Sequence, residues 1–214
     1  MIPTTFIQES LYRYCEIHSS NIPEYLNAIE RMTNLQTLAP QMISGKGQGR
    51  LLSFLSKMQF PKNAIEIGTF TGYSALCLAE GLVENGILHT FEIDSSYDPI
   101  IDYARSEVEL SKKIIFHKGN VIELIDQIKD SFDLAFVDAA KKDYLLYLQM
   151  LEPRMKKGAL LISDNVLWSG KVLDENKDQE TEILDQYNKY LQKSEKWEVL
   201  ILPLRDGISI AKRI

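Results

Sequence analysis

The chain has 214 residues, of which 45% are hydrophobic and 25% are charged. That length allows one well-buried domain, and the composition is that of an ordinary soluble globular protein. The 30 acidic residues outnumber the 24 lysines and arginines, which gives a net charge of -6 and a pI near 5.2. This negative net charge argues against a protein whose main role is to bind nucleic acid.

The cysteines and the apolar segments bear on the compartment. Cys15 and Cys77 are far apart in the sequence, so we expect both to be reduced and the protein to be cytoplasmic. The chain does not open on a positively charged segment followed by an apolar core, and no apolar run approaches the ~20 residues of a membrane span. We therefore expect neither export nor membrane insertion.

The first 60 residues precede every predicted strand. Residues 4 to about 34 predict two helices, the first capped by Thr4 or Thr5 and the second with Pro23 at its first position. Residues 39–50 are rich in glycine and predict a loop, which an amphipathic helix follows at residues 51–58. Lys46 lies between two glycines, but no strand precedes it and the spacing differs from that of a phosphate-binding loop.

From residue 61 onward, apolar strands alternate with helical segments. The sequence predicts strands at 64–67, 87–93, 114–117, 134–137 and 159–162, and helices near 74–84, 97–110, 120–129, 143–152 and 178–193. Two last strands, 197–203 and 207–213, are too close in sequence for a crossover and must pair as a hairpin. The predicted fold is α/β: a seven-stranded, mostly parallel sheet with an antiparallel C-terminal hairpin and helices on both faces. We expect a single domain, with residues 1–60 as a helical extension of the core at 61–214.

The turn after the first strand contains Gly68 and Gly72. A strand, a glycine turn and a helix in this order bring a nucleotide-like ligand against bare backbone and a helix N-terminus. The spacing differs from that of dinucleotide enzymes, so a nicotinamide cofactor is not the first choice. Glu92 ends the second strand, where a carboxylate can accept hydrogen bonds from a ribose. A solvated acid at a strand end is the alternative.

The third strand leads into Gly119 and Asn120. A small residue and an amide there could line an adenine ring. A plain turn in which Asn120 caps the next helix explains the same residues equally well.

Acidic and amide side chains follow the fourth and fifth strands. Asp138 ends the fourth, and Asp164 and Asn165 end the fifth. Neighbouring strand ends would bring them together as three oxygen ligands, which favours Mg2+ and allows Ca2+ or Mn2+. Histidines occur only at positions 18, 89 and 117, a scatter that argues against zinc. The alternative is a helix cap and a plain turn.

Lys141 follows Asp138 by three residues. A lysine beside a divalent cation would release its proton more readily and could serve as a general base. The alternative is a solvated lysine at a helix start, as its neighbour Lys142 illustrates.

Four segments together carry a family resemblance: residues 66–74, 136–141, 164–170 and 202–210. In this order they resemble the metal-dependent class I O-methyltransferases of the catechol and caffeoyl-CoA type. The resemblance runs from about residue 35 to the C-terminus. It implies a Rossmann-like fold, S-adenosylmethionine as methyl donor, a divalent cation and a homodimer.

The resemblance also implies roles for individual residues. Asp138 and Lys141 would be catalytic, and Trp168 would either contact the substrate or anchor its own loop. The cation ligands would be Asp138, Asp164 and Asn165. The methyl donor would be bound by Met42, Glu66, Gly68, Gly72, Tyr73, Ser74, Glu92, Gly119, Asn120 and Asp138. Residues 44–45 and 48–49 resemble the substrate-side loop over the cofactor.

The resemblance leaves the methyl acceptor open, because plant-type members often carry an acid where this chain has Ala140, and an asparagine where it has Asp143. We expect transfer to a hydroxyl of a small catechol-like aromatic compound. The first alternative is the 5-hydroxyuridine at the wobble position of tRNA, and a non-catalytic cofactor-binding module is the second. The clusters Lys112–Lys113 and Lys156–Lys157 flank strands at the ends away from the predicted site, which favours the small acceptor.

Overall fold

The structure is a computed structural model that describes residues 9–214, so the expected caps Thr4 and Thr5 lie outside the described residues. Three helices precede the sheet: α1 (Glu9–Ile17), α2 (Glu24–Gln36) and α3 (Gly45–Gln59). Pro23 stands immediately before α2, one position earlier than predicted.

Strands and helices alternate after α3, as predicted. The strands are β1 (Asn63–Ile67), β2 (Ile87–Glu92), β3 (Ile114–Lys118), β4 (Phe132–Val137), β5 (Met155–Ser163), β6 (Trp197–Leu202) and β7 (Ile208–Arg213). The helices between them are α4 (Tyr73–Ala79), α5 (Asp98–Glu107), α6 (Val121–Leu124), α7 (Tyr144–Leu151) and α8 (Gln179–Lys193).

All seven strands form one sheet in the order β3-β2-β1-β4-β5-β7-β6. β1 to β5 are parallel, while β7 is antiparallel to both β5 and β6. The predicted fold and the terminal hairpin are therefore confirmed. The order reverses between β1 and β4, the switch point at which ligands bind in sheets of this kind.

Apolar residues cover both faces of the sheet. On one face Phe132, Leu148 and Tyr187 belong to a buried cluster with α7 and α8. On the other face Leu52 and Leu76 belong to a second cluster with α2 to α5. β1 and β4 are covered from both sides, and apart from Asn63, Glu66 and Asp133 their residues are apolar, as expected for central parallel strands.

The loop predicted for residues 39–50 is wrong from Gly45 onward, where α3 begins. Its glycines allow close packing: a Cβ at Gly49 would lie 2.6 Å from the Tyr73 ring, and one at Gly47 would lie 2.8 Å from the Tyr12 hydroxyl. Glycine weakens an isolated helix, but here tertiary contact decides the local structure. Residues 48–49 therefore belong to a helix.

Two predicted helices end five residues earlier in the structure than predicted. The helix predicted at 74–84 ends at Ala79, where the Ser56 hydroxyl donates a hydrogen bond to the Leu78 carbonyl at 2.5 Å. The helix predicted at 120–129 ends at Leu124, and Arg154 donates to the Ile125 carbonyl at 3.3 Å. Side chains from distant segments thus satisfy carbonyl groups that a longer helix would have used.

The expectation that the histidines are scattered is wrong for two of them. β2 and β3 bring His89 and His117 together, with Nδ1 of the first 2.9 Å from Nε2 of the second. Within residues 9–214, however, no three His, Cys, Asp or Glu side chains are grouped as metal ligands would be. None of the helices in this part of the chain is long and apolar enough to cross a membrane.

Candidate active site

A cavity of about 730 Å³ opens at the carboxyl ends of the parallel strands, beside the switch point between β1 and β4. Its walls come from the ends of β1, β2, β4 and β5, the segment 41–44 and the turn that contains Arg205. The volume lies within the roughly 300–1,000 Å³ of small-molecule sites.

The glycine turn after β1 forms one wall of the cavity. The backbone N–H groups of Gly68 and Thr69 donate to the Phe91 carbonyl at 3.2 and 3.0 Å, which ties the turn to the end of β2. Gly68 has φ +102°, and a Cβ there would lie 2.2 Å from the Asp138 carbonyl oxygen. Only glycine allows the turn to lie this close to the segment after β4.

Glu66 lies beneath this turn and is fully buried. Burial raises its pKa to about 8, although hydrogen bonds from Ser74 and Thr90 favour the charged form. Its Oε2 accepts a hydrogen bond from the Thr90 hydroxyl, which is also hydrogen-bonded to the Thr69 hydroxyl of the turn. Glu66 is thus a support for the glycine turn and does not line the cavity.

Glu92, at the end of β2, is held by backbone donors. Its Oε2 accepts from Phe70 N at 2.7 Å, and its Oε1 accepts from Ile93 N and Asp94 N at 2.9 Å each. Burial raises its pKa even though these bonds favour the charged form. The carboxylate is therefore an oriented group on the cavity wall, unlike a freely solvated strand-end acid.

Asp138 and Asp164 follow adjacent parallel strands whose last residues, Val137 and Ser163, are in register. The buried Tyr144 hydroxyl contacts the Asp164 carbonyl at 2.8 Å and the Val137 carbonyl at 3.3 Å, so it joins the two strand ends. Burial, and then the Asp138 charge, raise the pKa of Asp164. Two acids facing one cavity with mutual repulsion form an arrangement that a cation would stabilise.

Lys141 is buried, whereas its neighbour Lys142 is exposed. The Lys141 Nζ lies 3.0 Å from Asp138 Oδ1 and 6.0 Å from the centroid of the Trp168 ring. It is therefore held inside the cavity wall, and the alternative of a solvated lysine at a helix start describes Lys142 alone.

The model of the family described as "O-methyltransferase" matches residues 16–214. The chain belongs to the O-methyltransferase family. It is 31% identical over 224 residues to the caffeoyl-CoA O-methyltransferase of Eucalyptus gunnii, covering 96% of this chain and 88% of that protein. It is 32% identical over 225 residues to caffeoyl-CoA O-methyltransferase 2 of Petunia hybrida, with coverage of 96% and 91%.

Solved structures share the fold of this O-methyltransferase. An O-methyltransferase of tomaymycin synthesis from Streptomyces achromogenes, in complex with S-adenosylmethionine, has a TM-score of 0.88 at 24% identity, covering 95% of this chain and 96% of that one. The O-methyltransferase of Bacillus cereus, in complex with S-adenosylhomocysteine, also has a TM-score of 0.88, at 22% identity and coverage of 96% and 97%. The family assignment makes this chain an S-adenosylmethionine-dependent O-methyltransferase.

The structure of the O-methyltransferase brings most of the predicted site residues to one cavity. Glu66 and Gly72 are the exceptions, since neither lines it; Gly72 has φ +88° and immediately precedes α4. The predicted residues that line the cavity are Met42, Gly68, Tyr73, Ser74, Glu92, Gly119, Asn120, Asp138, Lys141, Asp164, Asn165 and Trp168. Their individual roles stay predictions.

Two of the predicted residues have a structural role and also lie on the cavity wall. Asn120 caps α6, since its side-chain oxygen accepts from Ile122 N at 3.0 Å, and it also lines the cavity. Trp168 packs against a core cluster and lines the cavity as well. In the O-methyltransferase a structural role and a place on the cavity wall are therefore compatible.

Several residues that line the cavity were not predicted from the sequence. Phe70 and Tyr97 form an edge-to-face pair with ring centroids 4.6 Å apart beside Glu92. Arg205 reaches the cavity from the turn between β6 and β7. The resemblance included residue 205 within a motif, but its spacing gave no indication of contacts with segments more than 150 residues away.

Proposed function

We propose that the protein transfers the methyl group of S-adenosylmethionine to a hydroxyl of a small catechol-like aromatic acceptor, assisted by a divalent cation. The observation that supports this most directly is the cluster of Asp138, Asp164 and the buried Lys141 at the switch-point cavity. Relatives named caffeoyl-CoA O-methyltransferase support an aromatic acceptor.

The residues of the site fit a hard divalent cation. Asp138 and Asp164 supply carboxylate oxygens, and Asn165 supplies an amide oxygen on the same cavity wall. Oxygen donors of this kind suit Mg2+, and also Ca2+ or Mn2+. Burial, and then the charge of the neighbouring Asp138, raise the pKa of Asp164, and a bound cation would offset both effects by favouring the charged carboxylate.

The chain's own residues would carry the remaining chemistry. When bound, a divalent cation lowers the pKa of a hydroxyl that it contacts. Lys141, as the neutral amine, would accept the hydroxyl proton from the acceptor and become an ammonium beside Asp138. The acceptor oxygen would then bond to the methyl carbon as the carbon–sulfur bond breaks, and sulfur would keep that electron pair in S-adenosylhomocysteine. The cavity walls would hold the two substrates close together, an effect that can supply roughly 7–11 kcal/mol.

The surroundings of the cavity favour a small acceptor. The aromatic side chains of Tyr147 and Trp168 line it. The lysine pairs at 112–113 and 156–157 lie at the opposite edge of the sheet, before β3 and at the start of β5. A protein that reads tRNA would be expected to present such basic groups around its site.

The test is transfer of a labelled methyl group from S-adenosylmethionine to a panel of catechols or to bulk tRNA, each with Mg2+ or with EDTA. We expect labelling of a catechol, and its loss in EDTA. Undiminished catechol methylation in EDTA would contradict the role of the cation. Labelling of tRNA alone would contradict the acceptor.

Asp138→Ala is expected to lower transfer by at least ~100-fold, because it removes a cation ligand and the partner of Lys141. Asp102→Ala is the matched control, since Asp102 is an exposed carboxylate on α5 whose partner is Arg105. Equal activity of the two variants would contradict the assignment of Asp138.

A further inference from the structure

Arg205 occupies the turn between β6 and β7 and has a left-handed backbone, with φ +51°. Its guanidinium donates to the carbonyl oxygens of Ile43 at 2.8 Å and Gln41 at 3.1 Å, and to that of Ser44. All three residues line the cavity. One side chain thus holds the segment 41–44, and with it Met42, against the end of the sheet.

Arg205 also reaches Gln48, a fully buried residue of α3. Its Nη1 donates to Gln48 Oε1 at 3.4 Å, while Gln48 Nε2 donates to Asp164 Oδ2 at 2.6 Å. The side-chain oxygen of Gln48 thus accepts a hydrogen bond from the Arg205 guanidinium, and its side-chain nitrogen donates one to the Asp164 carboxylate. Glutamine matches both neighbours, whereas glutamate would place a second carboxylate beside Asp164.

The other oxygen of Asp164 is also held, because Oδ1 accepts from Asn165 N at 2.7 Å. A carboxylate has about four lone-pair sites, so two hydrogen bonds fix its plane and leave sites for a ligand. The orientation of Asp164 therefore depends on Gln48, and the orientation of Gln48 depends on Arg205.

We propose that Arg205 and Gln48 are positioning residues that couple the wall of the methyl-donor site to the cation ligand Asp164. Arg205 holds the segment 41–44 in place, and Gln48 sets the direction of the Asp164 carboxylate. The two halves of the site are then organised together, by residues that do not themselves touch the reacting atoms. This inference rests on the proposed function, since it takes Asp164 as a cation ligand.

Binding measurements test the proposal without relying on turnover. Free Mn2+ is measured by electron paramagnetic resonance during titration of the protein, and S-adenosylhomocysteine binding is measured by calorimetry. Gln48→Met keeps the length of the side chain and removes both hydrogen bonds. We expect it to weaken Mn2+ binding by about 10–100-fold, the usual effect of removing a partner of a metal ligand.

Arg205→Met should weaken S-adenosylhomocysteine binding by about tenfold, because the segment 41–44 loses its charged donor. Arg205→Lys retains the charge and should recover part of that loss. The matched controls are Gln59→Met and Arg154→Met. Gln59 lies on the same helix and donates to two carbonyls at 3.1 Å, and Arg154 likewise donates to the carbonyls of Ile125 and Ile128, both away from the cavity.

The outcomes separate this inference from the proposed function. Wild-type Mn2+ and S-adenosylhomocysteine affinities in Gln48→Met and Arg205→Met would overturn the positioning role alone. Failure of the wild-type protein to bind Mn2+ would overturn both the cation site and this inference. If Gln48→Met does not fold, Gln48→Leu replaces it, since leucine also lacks both hydrogen bonds and adds no charge. Weakened Mn2+ binding at an unchanged melting temperature would support the proposal, and unchanged binding would overturn it.

Discussion

Gly68→Ala should separate the effect of a strained backbone from the effect of crowding at the site. The new Cβ would lie 2.2 Å from the Asp138 carbonyl oxygen, whereas real Cβ contacts essentially never fall below 3.0 Å. The two backbone segments must therefore move apart by about 0.8 Å. Neither is the flexible end of a side chain, so the glycine turn and the segment bearing Asp138 must both shift.

The magnitude has two parts. A non-glycine residue at φ +102° costs about 1–2 kcal/mol, and overpacking costs about 1–3 kcal/mol more. We expect the free energy of unfolding to fall by about 2–5 kcal/mol. A displacement near 1 Å in the site can also cost roughly 100-fold in activity.

Gly158→Ala is the matched control, because Gly158 has φ +83° and nothing within 4 Å of its added Cβ. The free energy of unfolding of Gly158→Ala should fall only by the cost of backbone strain, about 1–2 kcal/mol, and this variant should retain activity. Urea unfolding, calorimetry with S-adenosylhomocysteine and methyl transfer would be measured on both variants. Equal stability and equal cofactor affinity in the two would refute the crowding of Asp138 by residue 68.

Two glutamates, the buried Glu66 and the half-buried Glu80, should respond to pH in opposite directions. Burial raises the pKa of Glu66 to about 8 in the folded protein from an ordinary 4.5, so stability should decline as pH rises through that window. Glu66→Gln cannot ionise and should show a smaller decline in urea unfolding; an unchanged decline would contradict this. Burial alone would raise the pKa of Glu80, but hydrogen bonds from Arg50, Lys57 and Ser53 lower it to about 2. Its stabilisation should be present above pH 4.5 and disappear as pH falls toward 2. Glu80→Gln should cost about 2 kcal/mol near pH 7, less than for a fully buried pair; a cost within 0.5 kcal/mol of zero, roughly the range of neutral surface changes, would contradict this.

The sequence predicted the sheet because its signals are local. Short apolar runs alternate with helical segments, and the short gap between the last two strands excludes a crossover. The ends of helices were predicted less well, since they depend on distant groups. Arg154 and Ser56 donate hydrogen bonds to backbone carbonyls near the ends of α6 and α4. The hydrophobic periodicity of the sequence near those ends does not indicate either contact.

The part of the cavity wall formed by the glycine turn and Glu92 was predicted for the same reason. The glycine turn and Glu92 follow their strands directly, and the parallel arrangement brings strand ends to one edge. The N-terminal wall was not predicted. Three glycines indicated a loop at residues 45–49, but Gly49 is required so that α3 can lie against Tyr73. Local propensity and tertiary packing conflict there, and packing decides the structure.

The turn between β6 and β7 shows why the hairpin matters to the site. β7 is antiparallel to β5, so the turn lies at the same edge as the ends of the parallel strands. From there Arg205 holds the segment 41–44, while the carbonyls of Asp206 and Gly207 accept from Leu167 N and Val166 N. A Cβ at Gly207 would lie 2.3 Å from the Leu167 side chain. The segment 41–44 and the loop that contains Leu167 are thus both fastened to this one turn, so the C-terminal hairpin helps to form the wall of the cavity.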